Sequence, residues 1–107
     1  MQIFAVGFDP ATLEHYSLNM YYVYVLLSDK NETIYIGYTT NVVRRLQEHN
    51  HGDTPSTKRY RPWKVIYVEG YFSQEDAKRR EVTLKRYGRS YAQLKFRIKK
   101  SILDALR

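Results

Sequence analysis

With 107 residues and a formal net charge of +7, the chain is long enough for one buried core and too short for two. It has no cysteine, which excludes disulfides, thiolate zinc sites and cysteine nucleophiles and fits a reducing compartment, so a cytoplasmic location is expected. Its longest apolar run, MYYVYVLL, has the length of a buried strand and not the roughly eighteen residues of a membrane span, and no secretory signal pattern opens the chain.

Residues 1–20, MQIFAVGFDPATLEHYSLNM, sustain no hydrophobic period and break at Asp9-Pro10. A strongly patterned strand begins directly after the second methionine. Met20 therefore reads as the natural start, residues 1–19 as an extension that is disordered or loosely attached, and residues 20–107 as a single domain. From Tyr21, YYVYVLLS is aromatic and β-branched, DKNET is a turn cluster, and TIYIGYT returns as the second arm of a hairpin. Alternation puts Tyr22, Tyr24 and Leu26 on one face and Tyr21, Val23, Val25 and Leu27 on the other, which is expected to be the buried side. On the second arm Ile34, Ile36 and Tyr38 share a face, leaving Tyr35 and Gly37 opposite. A simple register brings Tyr24 and Tyr35 together.

TTN offers capping side chains for VVRRLQEHN, where Val42 and Leu46 lie four apart in a short amphipathic helix ending at Asn50 or Gly52. Arg45 and His49, also four apart, fall on one stripe near Val42. HGDTPSTKRYRP reads as a loop and WKVIYVEGYF as a third strand. Ser73 can cap a second helix with Glu75 and Asp76 in its first turn, running to Tyr87 and stopped by Gly88. SYAQLKFRIKKSILDALR makes a third helix with Leu94, Ile98 and Ile102 on its apolar face. The order β-β-α-β-α-α predicts an α/β chain of the α+β kind: a small three-stranded, largely antiparallel sheet flanked by helices.

The charge is uneven. Residues 1–77 carry seven Lys/Arg against nine Asp/Glu, whereas residues 78–107 carry eleven against two. A basic C-terminal third points to a polyanionic partner, nucleic acid ahead of an anionic membrane surface, with a solubilising helix face as the bland alternative.

Three constellations invite chemistry. HNHGD, residues 49–53, has the donor types of a zinc site, but the only other histidine is His15 in the doubtful extension, so the spacing serves a helix end better than a metal cage. Eleven tyrosines, five of them between Tyr21 and Tyr38, could stack exposed bases, although tyrosine also packs well in strands. Tyr21 and Tyr67 are read as core or rim; Tyr24 and Tyr35 stay open. Glu81, four after Ala77 and three before Leu84, sits on the apolar stripe of its helix, where a carboxylate needs Lys78, Lys85, Arg45 or a metal as partner.

Taken together, these residues resemble the GIY-YIG nuclease domain, and specifically its small stand-alone bacterial members. The first motif stands as YVY, Tyr22 to Tyr24, and the second as an intact YIG, Tyr35 to Gly37; Arg45 follows Tyr35 by ten and His49 by fourteen, and Glu81 lies within AKRRE. The resemblance covers residues 21 to about 88. It implies a metal-dependent phosphodiesterase acting on DNA, with Glu81 holding one divalent ion, usually Mg²⁺, with Mn²⁺ as the alternative. Tyr35 would orient or deprotonate the attacking water, Arg45 would assist it and grip the phosphate, and Tyr24 and His49 would complete the proton network. Gly37 would leave room for a phosphate, and Arg44, Lys78, Arg79, Lys85 and Arg86 would contact the DNA. The chain departs from the family pattern at Tyr22, which replaces a glycine, and in lacking a clear supporting asparagine, for which Gln93 is a distant candidate.

The expected function is thus endonucleolytic hydrolysis of DNA by a monomer or weak dimer, with room for a separate targeting protein and no membrane association. The alternative is a nucleic-acid-binding module that keeps the fold without cleavage; a protein-interaction domain with a solubilising basic face comes third.

Overall fold

The computed structural model describes residues 19–106. Strand β1 (Tyr21–Ser28) forms the centre of an antiparallel sheet, between β2 (Ile34–Thr39) and β3 (Trp63–Tyr71), in the order β2-β1-β3. Its central place explains why every residue from Val23 to Ser28 is buried. One expectation is corrected here: helices cover both faces of the sheet, so the Tyr24 face is as dry as the Val23 face. Ser28 ties the hairpin to the rest, because its Oγ accepts from the Lys30 and Asn31 amides (3.0 and 3.3 Å) and donates to the Tyr60 carbonyl at 2.5 Å.

In the β1–β2 register Tyr24 pairs with Gly37 and Leu26 with Tyr35. Tyr24 and Tyr35 therefore share a face as diagonal neighbours, their ring centroids 6.3 Å apart. Across β1 and β3 a bulge at Ile66 lets Val25 pair with Tyr67 while Leu26 pairs with Val65. The extra residue resets the alternation, so Val65 and Val68 reach the Tyr24 face whereas Tyr67, Glu69 and Tyr71 lie on the other.

Helix α1 (Val42–His51) covers the Tyr24 face. Asn41 caps it by accepting from the Arg44 amide at 3.0 Å, and Gly52 closes it in the left-handed region at φ 92°. Val42 and Leu46 pack there with Tyr24, Leu26 and Trp63. The predicted loop over residues 51–62 contains a single-turn helix, α2 (Pro55–Lys58), with Pro55 at its first turn.

Helices α3 (Gln74–Arg86), α4 (Gly88–Arg97) and α5 (Lys99–Ala105) cover the other face, where Ala77, Leu84, Leu94 and Ile98 meet Val23 and Val25. Helix α3 starts at Ser73, as its capping chemistry predicts, but Tyr87 stops it by turning extended (φ −110°, ψ 107°) and Gly88 opens the next helix. The predicted single C-terminal helix bends at Ile98, where ψ is 20°. The amides of Ile98 and Ile102 still donate to the Leu94 and Ile98 carbonyls at 3.0 Å, so Leu94, Ile98 and Ile102 keep facing the core.

One buried charge fastens α3 to the sheet. Glu69, fully buried on β3, accepts from the Arg80 guanidinium (2.9 to 3.1 Å) and from the Tyr67 and Tyr71 hydroxyls (2.9 and 2.5 Å). Burial alone would raise this carboxyl; the bonds from Arg80, Tyr71 and Tyr67 hold it below the ordinary range. Among the described residues no helix is long and apolar enough to cross a membrane. The expected N-terminal extension falls on residues 1–18, outside those described, and on Asn19; Met20 is buried against Gly70.

Candidate active site

The site is built outward from Tyr24. A Cβ at Gly37 would stand 2.3 Å from the Tyr24 hydroxyl oxygen, so only glycine lets the ring lie across β2. This revises the expectation that Gly37 leaves room for a phosphate: the phenol of Tyr24 fills that room. The Tyr24 oxygen lies 2.9 Å from His49 Nε2, and His49 Nδ1 lies 2.8 Å from Thr57 Oγ1. All three residues are buried. Tyr35, at the half-buried rim, sets its ring edge-on to His49 at 5.0 Å.

Burial pushes the Tyr24 phenol up to about 12, opposed by the Arg45 guanidinium beside it and reinforced by Tyr35 and Glu81. Burial, with Arg45 second, pushes His49 down. At neutral pH the pair is therefore a protonated phenol against a neutral imidazole. Arg45 also pairs with Glu48 at 3.2 Å on the same helix.

Glu81 approaches from α3. Its side chain is 22% exposed on the stripe between Ala77 and Leu84, and of the partners expected from spacing it takes Lys85, at 3.1 Å. Lys85 Nζ also stands 5.6 Å above the Tyr35 ring, which brings Glu81, Lys85 and Tyr35 to one opening. A cavity of about 660 Å³ begins there, lined by Tyr35, Lys85, Leu84, Ile36, Tyr91 and Lys95.

The structure thus gathers Tyr24, Tyr35, Arg45, His49, Glu81 and Lys85. It does not gather the remaining predicted DNA contacts. Arg44 lines a separate hollow with Tyr22 and Asn41, Lys78 lies over the Tyr38 ring at 5.5 Å, Arg79 faces Asp76 at 3.5 Å, and Arg86 is exposed in the last turn of α3. HNHGD divides as its helix-end reading requires: His49 points inward while His51 is exposed and pairs with Asp53 at 2.6 Å.

Several residues were missed from sequence. Thr57 is one, and Trp63 and Asn50 hold it in place. The Trp63 indole donates to the Thr57 carbonyl at 2.9 Å, while the Asn50 amide bonds both backbone groups of Trp63 at 2.6 and 3.0 Å. The one available signal was Thr54-Pro55, a helix-start pair inside the presumed loop. Also missed was a second basic cluster, Lys30, Lys58, Arg59 and Arg61, around a hollow of about 440 Å³. Among the described residues, none of these four pairs with a carboxylate.

A family model described as the GIY-YIG catalytic domain matches residues 20–95. The chain belongs to the GIY-YIG family. Similar proteins include a UPF0213 protein of Pediococcus pentosaceus, 40% identical over 86 residues that cover 79% of this chain and 88% of that one. A UPF0213 protein of Halobacterium salinarum is 38% identical over 78 residues, covering 72% of this chain and 100% of its own, and one of Natronomonas pharaonis is 42% identical over 71 residues, covering 65% and 82%. In this GIY-YIG domain the two motif strands are β1 and β2, and the Tyr24–Gly37 pair is where they meet. GIY-YIG nucleases generally use a divalent metal, and the donor set here bears on which kind. Among the described residues no three His, Cys, Asp or Glu side chains cluster for a metal, but Glu81 already holds one cation, the Lys85 ammonium. One carboxylate fits a hard ion that keeps water and substrate phosphate as its other ligands, and not a structural zinc.

Proposed function

We propose that this GIY-YIG domain is a DNA endonuclease, hydrolysing phosphodiester bonds with one divalent ion, Mg²⁺ or Mn²⁺, held by Glu81. The observation that carries this reading is the convergence of a buried Tyr24–His49 pair, the half-buried Tyr35, the Arg45 guanidinium and the α3 carboxylate on one opening. When bound, the ion would offset negative charge on the phosphate and the leaving oxygen. Arg45 exchanges Glu48 for the scissile phosphate and can grip two of its oxygens. Tyr35 orients the attacking water and, acting as the phenolate, takes its proton, aided by the cationic Lys85 over its ring. Tyr24 stays protonated and steadies Tyr35 from behind, its oxygen hydrogen-bonded to His49 Nε2.

The test is Mg²⁺- or Mn²⁺-dependent cleavage of plasmid, branched and single-stranded DNA. Cutting by the wild type that falls by at least about a hundredfold in Glu81→Gln and Tyr35→Phe is expected, in the range of a lost general base or charge stabiliser. One observation favours the rival, a binding module without cleavage: Arg45 and Glu81 are each already matched within the protein, by Glu48 and Lys85. Salt-sensitive DNA binding with no cleavage on any substrate would establish that rival.

A further inference from the structure

We propose that Thr57 is a positioning residue that holds His49 in the Nδ1–H tautomer, so that Tyr24 donates its hydroxyl proton to the imidazole. The tautomer follows from counting protons. A threonine hydroxyl has a single hydrogen, and a carbonyl can only accept. Thr57 Oγ1 donates to the Thr54 carbonyl at 3.3 Å, inside the same helical turn. With that hydrogen on the Thr54 carbonyl, Thr57 Oγ1 accepts at its 2.8 Å contact with His49 Nδ1, and the imidazole donates. A neutral imidazole with its proton on Nδ1 has a bare Nε2, and the atom 2.9 Å from it is the Tyr24 oxygen. Tyr24 is therefore the donor.

The surroundings fix Thr57 in position against His49. Its side chain is wholly buried, its amide bonds the Thr54 carbonyl at 3.1 Å, and its own carbonyl is held by the Trp63 indole. The opposite tautomer would aim Nε2–H at a phenol oxygen that already has the donor-only Arg45 beside it, and would turn the Tyr24 proton outward toward Tyr35. The titratable groups facing His49 are Tyr24 from β1, Tyr35 from β2, and Arg45 and Glu48 from its own helix; α2 presents only the neutral Thr57 hydroxyl.

The consequence for turnover rests on the nuclease reading, but the tautomer itself does not, and the experiment separates them. In ¹⁵N NMR of the full chain, wild-type His49 should show a protonated Nδ1 and a bare Nε2 near pH 7. Thr57→Val, which keeps the shape and removes the hydroxyl, should mix or invert the tautomer; Thr57→Ser should restore it. If the domain cuts DNA, Thr57→Val should lower kcat roughly tenfold with KM nearly unchanged, as for one lost buried hydrogen bond, and should shift the acid limb of the pH profile. Wild-type His49 protonated on Nε2, or a folded Thr57→Val with unaltered tautomer, would overturn the proposal. Should Thr57→Val fail to fold, the wild-type and Thr57→Ser spectra decide it alone. A wild type with the Nδ1–H form that cuts nothing would sink the nuclease reading and leave this one standing.

Discussion

Burial at His49 and the positive charge of Arg45 act in the same direction, since both disfavour a second proton on the imidazole. The unfolded chain titrates near the ordinary value of 6.5, and the folded one lower. Between those two values the unfolded state binds more protons, so stability rises with pH across that window. The contribution is full above about pH 7, declines as the pH falls below 6.5, and is gone below the folded value. Melting temperatures measured from pH 7 down to 5 should therefore fall, and His49→Gln should flatten that part of the curve. Gly37→Ala makes a second residue-level forecast: the new methyl would push out the Tyr24 ring, costing about 1–3 kcal/mol by overpacking and, if the domain cuts DNA as proposed, removing cleavage together with it. Urea titration and a cleavage assay would check the two halves. Strand alternation made it legible that Tyr24 and Tyr35 share a face, and helical spacing that Arg45 and His49 share a stripe; joining the four in one site took the resemblance to the GIY-YIG motifs. Thr57 was not, because its role depends on a hydroxyl meeting a ring eight positions away across a turn that no periodicity announces. Gly37 was legible as a required glycine but for the wrong neighbour, since which side chain crosses a glycine depends on the exact strand register.

At the level of elements, the site depends on where α3 lies, and the Glu69–Arg80 pair holds it there, one residue before Glu81. Removing the cation from a buried, hydrogen-bonded carboxylate is expensive, so Arg80→Met should destabilise the domain by about 3 kcal/mol, read as a lower urea midpoint. The depressed Glu69 carboxyl adds that this contribution is present above its unfolded value near 4.5 and is lost on further acidification. Element type and order were readable for all three strands and for helices α1 and α3, whose caps Asn41 and Ser73 are local chemistry. The failures occurred where packing overrode local preference. Gly88 opens a helix after the extended Tyr87, and the C-terminal helix bends at the buried Ile98. The bulge at Ile66 is invisible in an apolar strand because either parity looks buried.

Across the whole molecule, the basic C-terminal third is only part of the positive surface, since Lys30, Lys58, Arg59 and Arg61 form a second group around one hollow at α2. Spatial clustering from positions 30 and 58–61 cannot be read from a running charge sum. If both groups touch duplex DNA, replacing Lys30, Lys58 and Arg59 by alanine should flatten the plot of log affinity against log salt by about 0.9 per lost contact, measurable by fluorescence anisotropy. The pairs Arg45–Glu48 and Lys85–Glu81 bear on a different quantity, time. Arg45 and Lys85 each have a carboxylate partner, so if the domain binds DNA these two would add little pull at a distance, and steering would fall to the lysines and arginines that, among the described residues, pair with no carboxylate. Capture and retention then belong to different residues: outer substitutions should slow association and be masked by salt, whereas Arg45→Ala should leave association nearly unchanged and hasten dissociation.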